Sequence, residues 1–150
     1  MYIKRTAHKL IQKFNTRNPF QICEELGYIV LRVPLVGLRG FYQYIERQHI
    51  IYIKDTLDDQ ESKLVCAHEL GHSLLHTDNN HFFMNSHTYF SLSKFELEAD
   101  KFAADLLYSD QFLQDYLSYS IQTVAECLGL SQQVVEYRFS SVQPKHTCEF

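Results

Sequence analysis

Tryptophan is absent from the 150 residues, and neither an internal repeat nor a low-complexity tract interrupts them. No apolar run approaches the length of a membrane span, and the first residues, Met1-Tyr2-Ile3-Lys4-Arg5, lack the apolar core of a signal peptide. The expected location is therefore the cytoplasm, with no membrane partner. The cysteines Cys23, Cys66, Cys127 and Cys148 are scattered and form no CxxC pair, which excludes a zinc knuckle or a secreted disulfide scaffold and leaves free thiols in a reducing compartment. Positive charge is also in deficit. With 14 Lys and Arg against 18 Asp and Glu, the net charge of −4 argues against general affinity for nucleic acid, which depends on neutralising phosphates. Residues 1–20 depart from that balance, carrying Lys4, Arg5, Lys9, Lys13 and Arg17 with no acid among them; a solvated helix face accounts for this.

What is present describes an ordinary globular domain, 45% hydrophobic and 14% aromatic. A chain of this length buries about two thirds of the surface its unfolded form exposes. A single domain is expected over residues 1–140, with 141–150 as a flexible tail. Ile3, Ala7, Leu10, Ile11 and Phe14 recur at helical spacing, predicting an amphipathic helix over 2–15. Asn18-Pro19 and Gly27 bracket a short helix over 19–26. Three β-branched or aromatic segments follow, 28–33, 40–45 and 49–53, the last two joined at Glu46-Arg47-Gln48, and an antiparallel sheet is expected of them. Further helices are predicted from Asp58-Asp59 to His76, from Ser93 to Leu107 and from Ser109 to Tyr119, then near 121–128 and 131–139. A loop should cover 79–92. The fold class is α+β, mostly helical, with a small three-stranded sheet beside the central helix.

That helix holds the main chemical signal, Val65-Cys66-Ala67-His68-Glu69-Leu70-Gly71-His72-Ser73-Leu74-Leu75-His76. The i, i+4 spacing of His-Glu-x-x-His stacks His68 and His72 on one face, so both imidazoles can reach one zinc at about 2.0–2.1 Å. Glu69 then stands beside the metal, where it can take a proton from a water but cannot easily join the ligand face. Leu64, Val65, Leu70, Leu74 and Leu75 make the helix amphipathic, so the polar trio lies on a partly buried rod.

A catalytic zinc needs a third protein ligand. His76 lies on the same stripe, but eight residues at about 1.5 Å each carry it too far from His68 for one ion. Asp78 falls where a metzincin would place its last ligand, yet Leu75 replaces the glycine that turns such a chain back. Glu96, within Phe95-Glu96-Leu97-Glu98-Ala99-Asp100-Lys101-Phe102-Ala103-Ala104, is preferred. It shares a face with Asp100 and small alanines that permit a close helix crossing, and Asp100 can then accept the free ring N–H of a ligating histidine. Against it, Ser93-Lys94-Phe95-Glu96 fits a capping box, which would use Glu96 locally. Glu98 is read as a solvated charge and stays the second choice.

These two motifs in order, His68-Glu69-Leu70-Gly71-His72-Ser73-Leu74-Leu75-His76 and Glu96-x-x-Ala99-Asp100-x-Phe102-Ala103-Ala104-x-Leu106-Leu107, resemble the ImmA/IrrE family of bacterial and phage metallopeptidases. The resemblance covers about residues 1–140. It implies a minimal zincin-like core with a gluzincin-like site, in which His68, His72 and Glu96 are zinc ligands and Glu69 is the general base. It also implies a protein substrate, a helix-turn-helix repressor whose cleavage relieves transcriptional repression. One departure is Tyr108-Ser109, where the family often has Met-Pro; it bears on the end of that helix.

A second donor to the developing oxyanion is unassigned, with Tyr89, His81 and His87 as candidates. The rival function is a regulatory protein that binds DNA and holds a structural metal. Thr123 to Arg138 has helix-turn-helix character, with a turn at Gly129 and Ser131, Gln132 and Gln133 opening the second helix. Only Arg138 in that stretch is basic, so the pair is expected to close the core and direct nucleic-acid binding is not expected.

Overall fold

The computed structural model describes residues 2–76 and 89–144, the side chains of 89–92 excepted. The chain runs α1 (Tyr2–Phe14), α2 (Pro19–Glu25), β1 (Ile29–Val33), β2 (Gly40–Ile45), β3 (Gln48–Lys54), α3 (Asp59–Leu75), α4 (Tyr89–Leu107), α5 (Asp110–Gln114), α6 (Ile121–Leu128) and α7 (Gln132–Phe139). It is an α+β, mostly helical domain. Asp78, His81 and His87, the side chain of Tyr89, and residues 145–150 of the expected 141–150 tail, Cys148 among them, lie outside the described residues.

Local chemistry sets most of the boundaries. Asn18, Asp58, Ser109, Ser120 and Ser131 each turn a side-chain oxygen onto a backbone N–H of the first helical turn, satisfying a donor the helix cannot. Asp59 and Glu61 add negative charge at the positive end of α3. Gly129, in the left-handed region at φ 71°, ends α6 and lets the chain reverse into α7. Two helices depart from expectation. Residues 79–88 of the expected loop lie outside the described residues, and α4 begins at Tyr89 within the rest of it, so Ser93 lies inside a helix and the capping box it would form with Glu96 is not a helix start. α5 stops at Gln114, well before Tyr119.

The sheet is mixed rather than antiparallel, in the order β1-β3-β2. β2 and β3 form the expected hairpin, from Gly40 opposite Ile53 to Ile45 opposite Gln48, closed by Glu46 and Arg47 at φ 50° and 63°. Both central residues being left-handed matches the strand twist. β1, however, pairs with β3, Ile29 opposite Ile50 through Val33 opposite Lys54, and runs parallel to it. The physical reason is burial. Ile51 and Ile53 are fully buried, so β3 takes the centre, and the excursion through β2 serves as the crossover a parallel pair requires.

α3 is the axis of the molecule. One side packs on β2 and β3 and against α2, whose Cys23 Sγ lies 3.8 Å from Cys66 Sγ with both thiols buried and free. The other side meets α4, with Leu70, Ala99, Phe102, Ala103 and Leu106 solvent-free in the join. Gly71 makes that crossing close, since a Cβ there would meet Phe102 Cδ1 at 2.9 Å. α1 covers α4 with Ile3, Leu10, Ile11 and Phe14. A separate cluster of Leu113, Val124, Ala125, Leu128, Val135 and Val142 holds the C-terminal helices together. Arg138 fastens them to the rest: it donates to the Tyr108 carbonyl at 2.8 Å and to Asp110, and sits 3.6 Å from the buried Asp105.

Gly40 is as tightly held as Gly71. A Cβ would lie 2.5 Å from Val65 Cγ1 and 2.7 Å from the Tyr52 carbonyl, and the carbonyl belongs to the neighbouring strand and cannot swing away. Gly40→Ala should therefore lower the unfolding free energy by about 1–3 kcal/mol, the usual cost of overpacking. Urea unfolding of the metal-free protein checks this; an unchanged midpoint would contradict the packing described.

Candidate metal centre

The crossing of α3 and α4 brings together the residues singled out by spacing. His68 and His72, one turn apart, point their Nε2 atoms at each other across 3.1 Å. Glu96 spans them from α4, with Oε2 2.9 Å from His68 Nε2 and Oε1 2.8 Å from His72 Nε2. One ligating atom from each lies within 4.8 Å of the others. Two ligands at about 2.1 Å from a tetrahedral ion stand about 3.4 Å apart, so the three donors need shift only slightly to hold one. Two imidazoles and a carboxylate are also the donor set of catalytic zinc sites that leave one position open.

The electrostatics point the same way. Two basic ring nitrogens facing each other beside a carboxylate need positive charge between them. Without a metal, a proton supplies it. Burial opposes charging His68, but Asp100 on Nδ1 and Glu96 on Nε2 outweigh that and hold its pKa at about 10. Burial likewise pushes Glu96 up, and the hydrogen bonds from His68 and His72 reverse this, taking its carboxyl well below the usual range. Glu69 is buried beside them; burial raises its pKa, while His68 and His72 pull it down.

Behind the donors, Asp100 Oδ1 accepts from His68 Nδ1 at 2.7 Å. His72 Nδ1 lies 3.0 Å from Nδ1 of His76, whose Nε2 reaches Glu98 Oε2 at 3.3 Å. Glu98 is thus no solvated charge: its side chain is 18% exposed and is committed to His76. The donors that converge are those of His68, His72 and Glu96, and Glu98 is not among them.

In front of the donors opens a cavity of about 390 Å³. α3 provides Val65, His68 and Glu69, α4 provides Glu96 and Asp100, the β1–β2 connection and the start of β2 provide Leu38, Arg39 and Gly40, and Gly129 contributes from the α6–α7 turn. The wall from β2 and the Gly129 turn were not identified from the sequence. The signal was the glycine opening β2, whose lack of a side chain reads as a close approach. Arg138, the basic residue of the helix-turn-helix-like stretch, is 3% exposed and turned inward, so neither α6 nor α7 presents a basic side chain at the surface.

Residues 34–140 match the Peptidase M78 family, described as the IrrE N-terminal-like domain. The chain belongs to this family. Over 139 residues it is 33% identical to uncharacterized immunity region protein 2 of Bacillus phage phi105, covering 91% of this chain and 88% of the relative. Over 146 residues it is 29% identical to metallopeptidase ImmA of Bacillus subtilis strain 168, covering 93% and 85%. Among solved structures, a Mycobacterium tuberculosis transcriptional regulator matches with a TM-score of 0.60 and 14% identity over 94% of this chain. The chain spans only 47% of that protein, and the likeness is one of fold. Membership places the chain among metallopeptidases, which work with a bound metal. Among the described residues, no helix is long and apolar enough to cross a membrane.

A cation entering between His68, His72 and Glu96 must displace the proton on His68. Because that proton is held up to about pH 10, zinc affinity should rise with pH across the neutral range, and binding at pH 7 should release about one proton. Calorimetry in two buffers of different ionisation enthalpy measures this directly, and zinc uptake without proton release would refute the assignment.

Proposed function

We propose that the chain is a zinc-dependent endopeptidase that cleaves a peptide bond in a protein substrate, a helix-turn-helix transcriptional repressor, and so relieves repression in the cytoplasm. The observation that carries the reading is the convergence of His68, His72 and Glu96 donors at one point with Glu69 on the same cavity wall. The named relatives, a metallopeptidase and a phage immunity region protein, support it.

His68, His72 and Glu96 would hold the zinc. When bound, zinc supplies Lewis acidity that polarises a carbonyl and acidifies a water at neutral pH. The remaining chemistry falls to the chain. Glu69 takes the proton of the attacking water and delivers it to the leaving amine; its burial, which raises its pKa, suits a group that must both accept and give. Asp100 accepts the Nδ1–H of His68, which leaves the Nε2 lone pair for the metal. β2 is an edge strand whose first residue lines the cavity, so an extended segment of substrate can pair with it and lie along α3. Without a side chain, Gly40 lets the start of β2 pack directly on α3 at Val65, next to Glu69.

The test is to incubate the zinc-loaded protein with the repressor encoded beside its gene and to identify new termini by mass spectrometry. Cleavage at one site is expected. Glu69→Gln should reduce it by at least about a thousandfold, since proton transfer is lost, while zinc content stays at wild-type level. Intact repressor under all metals tried would overturn the substrate, and loss of zinc from Glu69→Gln would make Glu69 a structural residue.

A further inference from the structure

The two histidines are supported differently, and the difference concerns residues outside the proposed catalytic group. Asp100 backs His68 directly. His72 Nδ1 faces Nδ1 of His76, 3.0 Å away, and the far nitrogen of His76 meets Glu98 at 3.3 Å. His76 is 2% exposed, and the ring of Phe95 stands edge-on to it at 4.5 Å. Phe95 and Glu98 lie i, i+3 on α4 and therefore close on His76 together.

We infer that His76 and Glu98 are positioning residues for the metal ligand His72, acting as a hydrogen-bond chain that fixes its tautomer. The inference rests on the reading of His72 as a zinc ligand. The logic is one of proton count. To give its Nε2 lone pair to a metal, neutral His72 must carry its hydrogen on Nδ1 and donate it to His76 Nδ1. A neutral His76 accepting there must carry its own hydrogen on Nε2, where Glu98 accepts it. Every donor then meets an acceptor, and the anionic end of the chain makes His72 a stronger electron donor. Reversing either tautomer would set two N–H groups or two lone pairs against each other. α4 thus supplies Glu96 to the metal position and a carboxylate behind each histidine, Asp100 at one remove and Glu98 at two. The i+4 spacing that puts His76 beyond reach of a shared ion with His68 is what puts it next to His72.

Zinc affinity, read by competition with a chromophoric chelator, tests this without reference to cleavage. Glu98→Ala and His76→Leu should each weaken binding about 10- to 100-fold, the usual effect of removing a partner of a metal-bound histidine. Glu98→Gln, which keeps an oxygen acceptor for the same N–H, should recover most of the loss. The double variant should bind no more weakly than His76→Leu alone, because Glu98 acts only through His76. Glu98→Ala serves if His76→Leu does not fold, and long-range proton–nitrogen correlations on the zinc-loaded wild type report the tautomers directly. His76 protonated on Nδ1, or Glu98→Ala binding zinc as tightly as wild type, would overturn the inference. His68→Ala separates the two levels: if it binds zinc as the wild type does, the metal site itself is wrong; if it loses zinc while Glu98→Ala keeps it, only the chain fails.

Discussion

Everything in this molecule is arranged so that two helices cross close enough for a carboxylate on one to stand between two imidazoles on the other. The closeness has identifiable causes: Gly71 on α3, and Ala99 and Ala103 on α4, all without bulk at the join, with Phe102 filling what is left. A larger residue at these positions would move Glu96 relative to His68 and His72, and a metal–ligand bond tolerates displacements of only about 0.2 Å. The apolar contacts stabilise the fold, but their chemical importance lies in the precision with which they set a distance.

The arrangement is electrostatically costly. Glu69, Glu96, Glu98 and Asp100 bring four carboxylates to one end of the α3–α4 crossing, opposed by three histidines. His68 is held charged as a consequence, and Glu96 is held ionised despite its partial burial. A divalent ion relieves the same imbalance more completely than one proton can. Folding and metal binding are therefore linked in this chain, since a ligand that binds only the folded state stabilises it.

Periodicity made α3 legible, because His68 and His72 share a face on any helix and the leucines place that helix indoors. It also made the caps legible: Asn18, Asp58, Ser109 and Ser131 act through hydrogen bonds to residues two or three positions on. Glu96 needed more than periodicity, because the competing capping box at Ser93 is equally local and only the earlier start of α4 removes it. The three strands and the β2–β3 hairpin are legible in the sequence, but the parallel pairing of β1 with β3 is not, since β-branched composition marks a strand and says nothing of its neighbour. That required knowing that Ile51 and Ile53 occupy the centre. The burial of Glu98 is hidden from the sequence for a related reason. Its partner His76 lies on a different helix, and no spacing along one chain reports how two rods are rotated about each other.

The C-terminal pair has a place in this scheme that neither a DNA-reading role nor simple core closure would assign it. Its turn at Gly129 stands on the rim of the cavity, and α7 is riveted to the far end of α4 through Arg138, Asp105 and Tyr108. The groove therefore has one wall from the strand side and is touched on another by the turn between the last two helices. A change in how that turn sits would therefore reshape the cavity from a position remote in sequence from the histidines, while His68, His72 and Glu96 stay untouched.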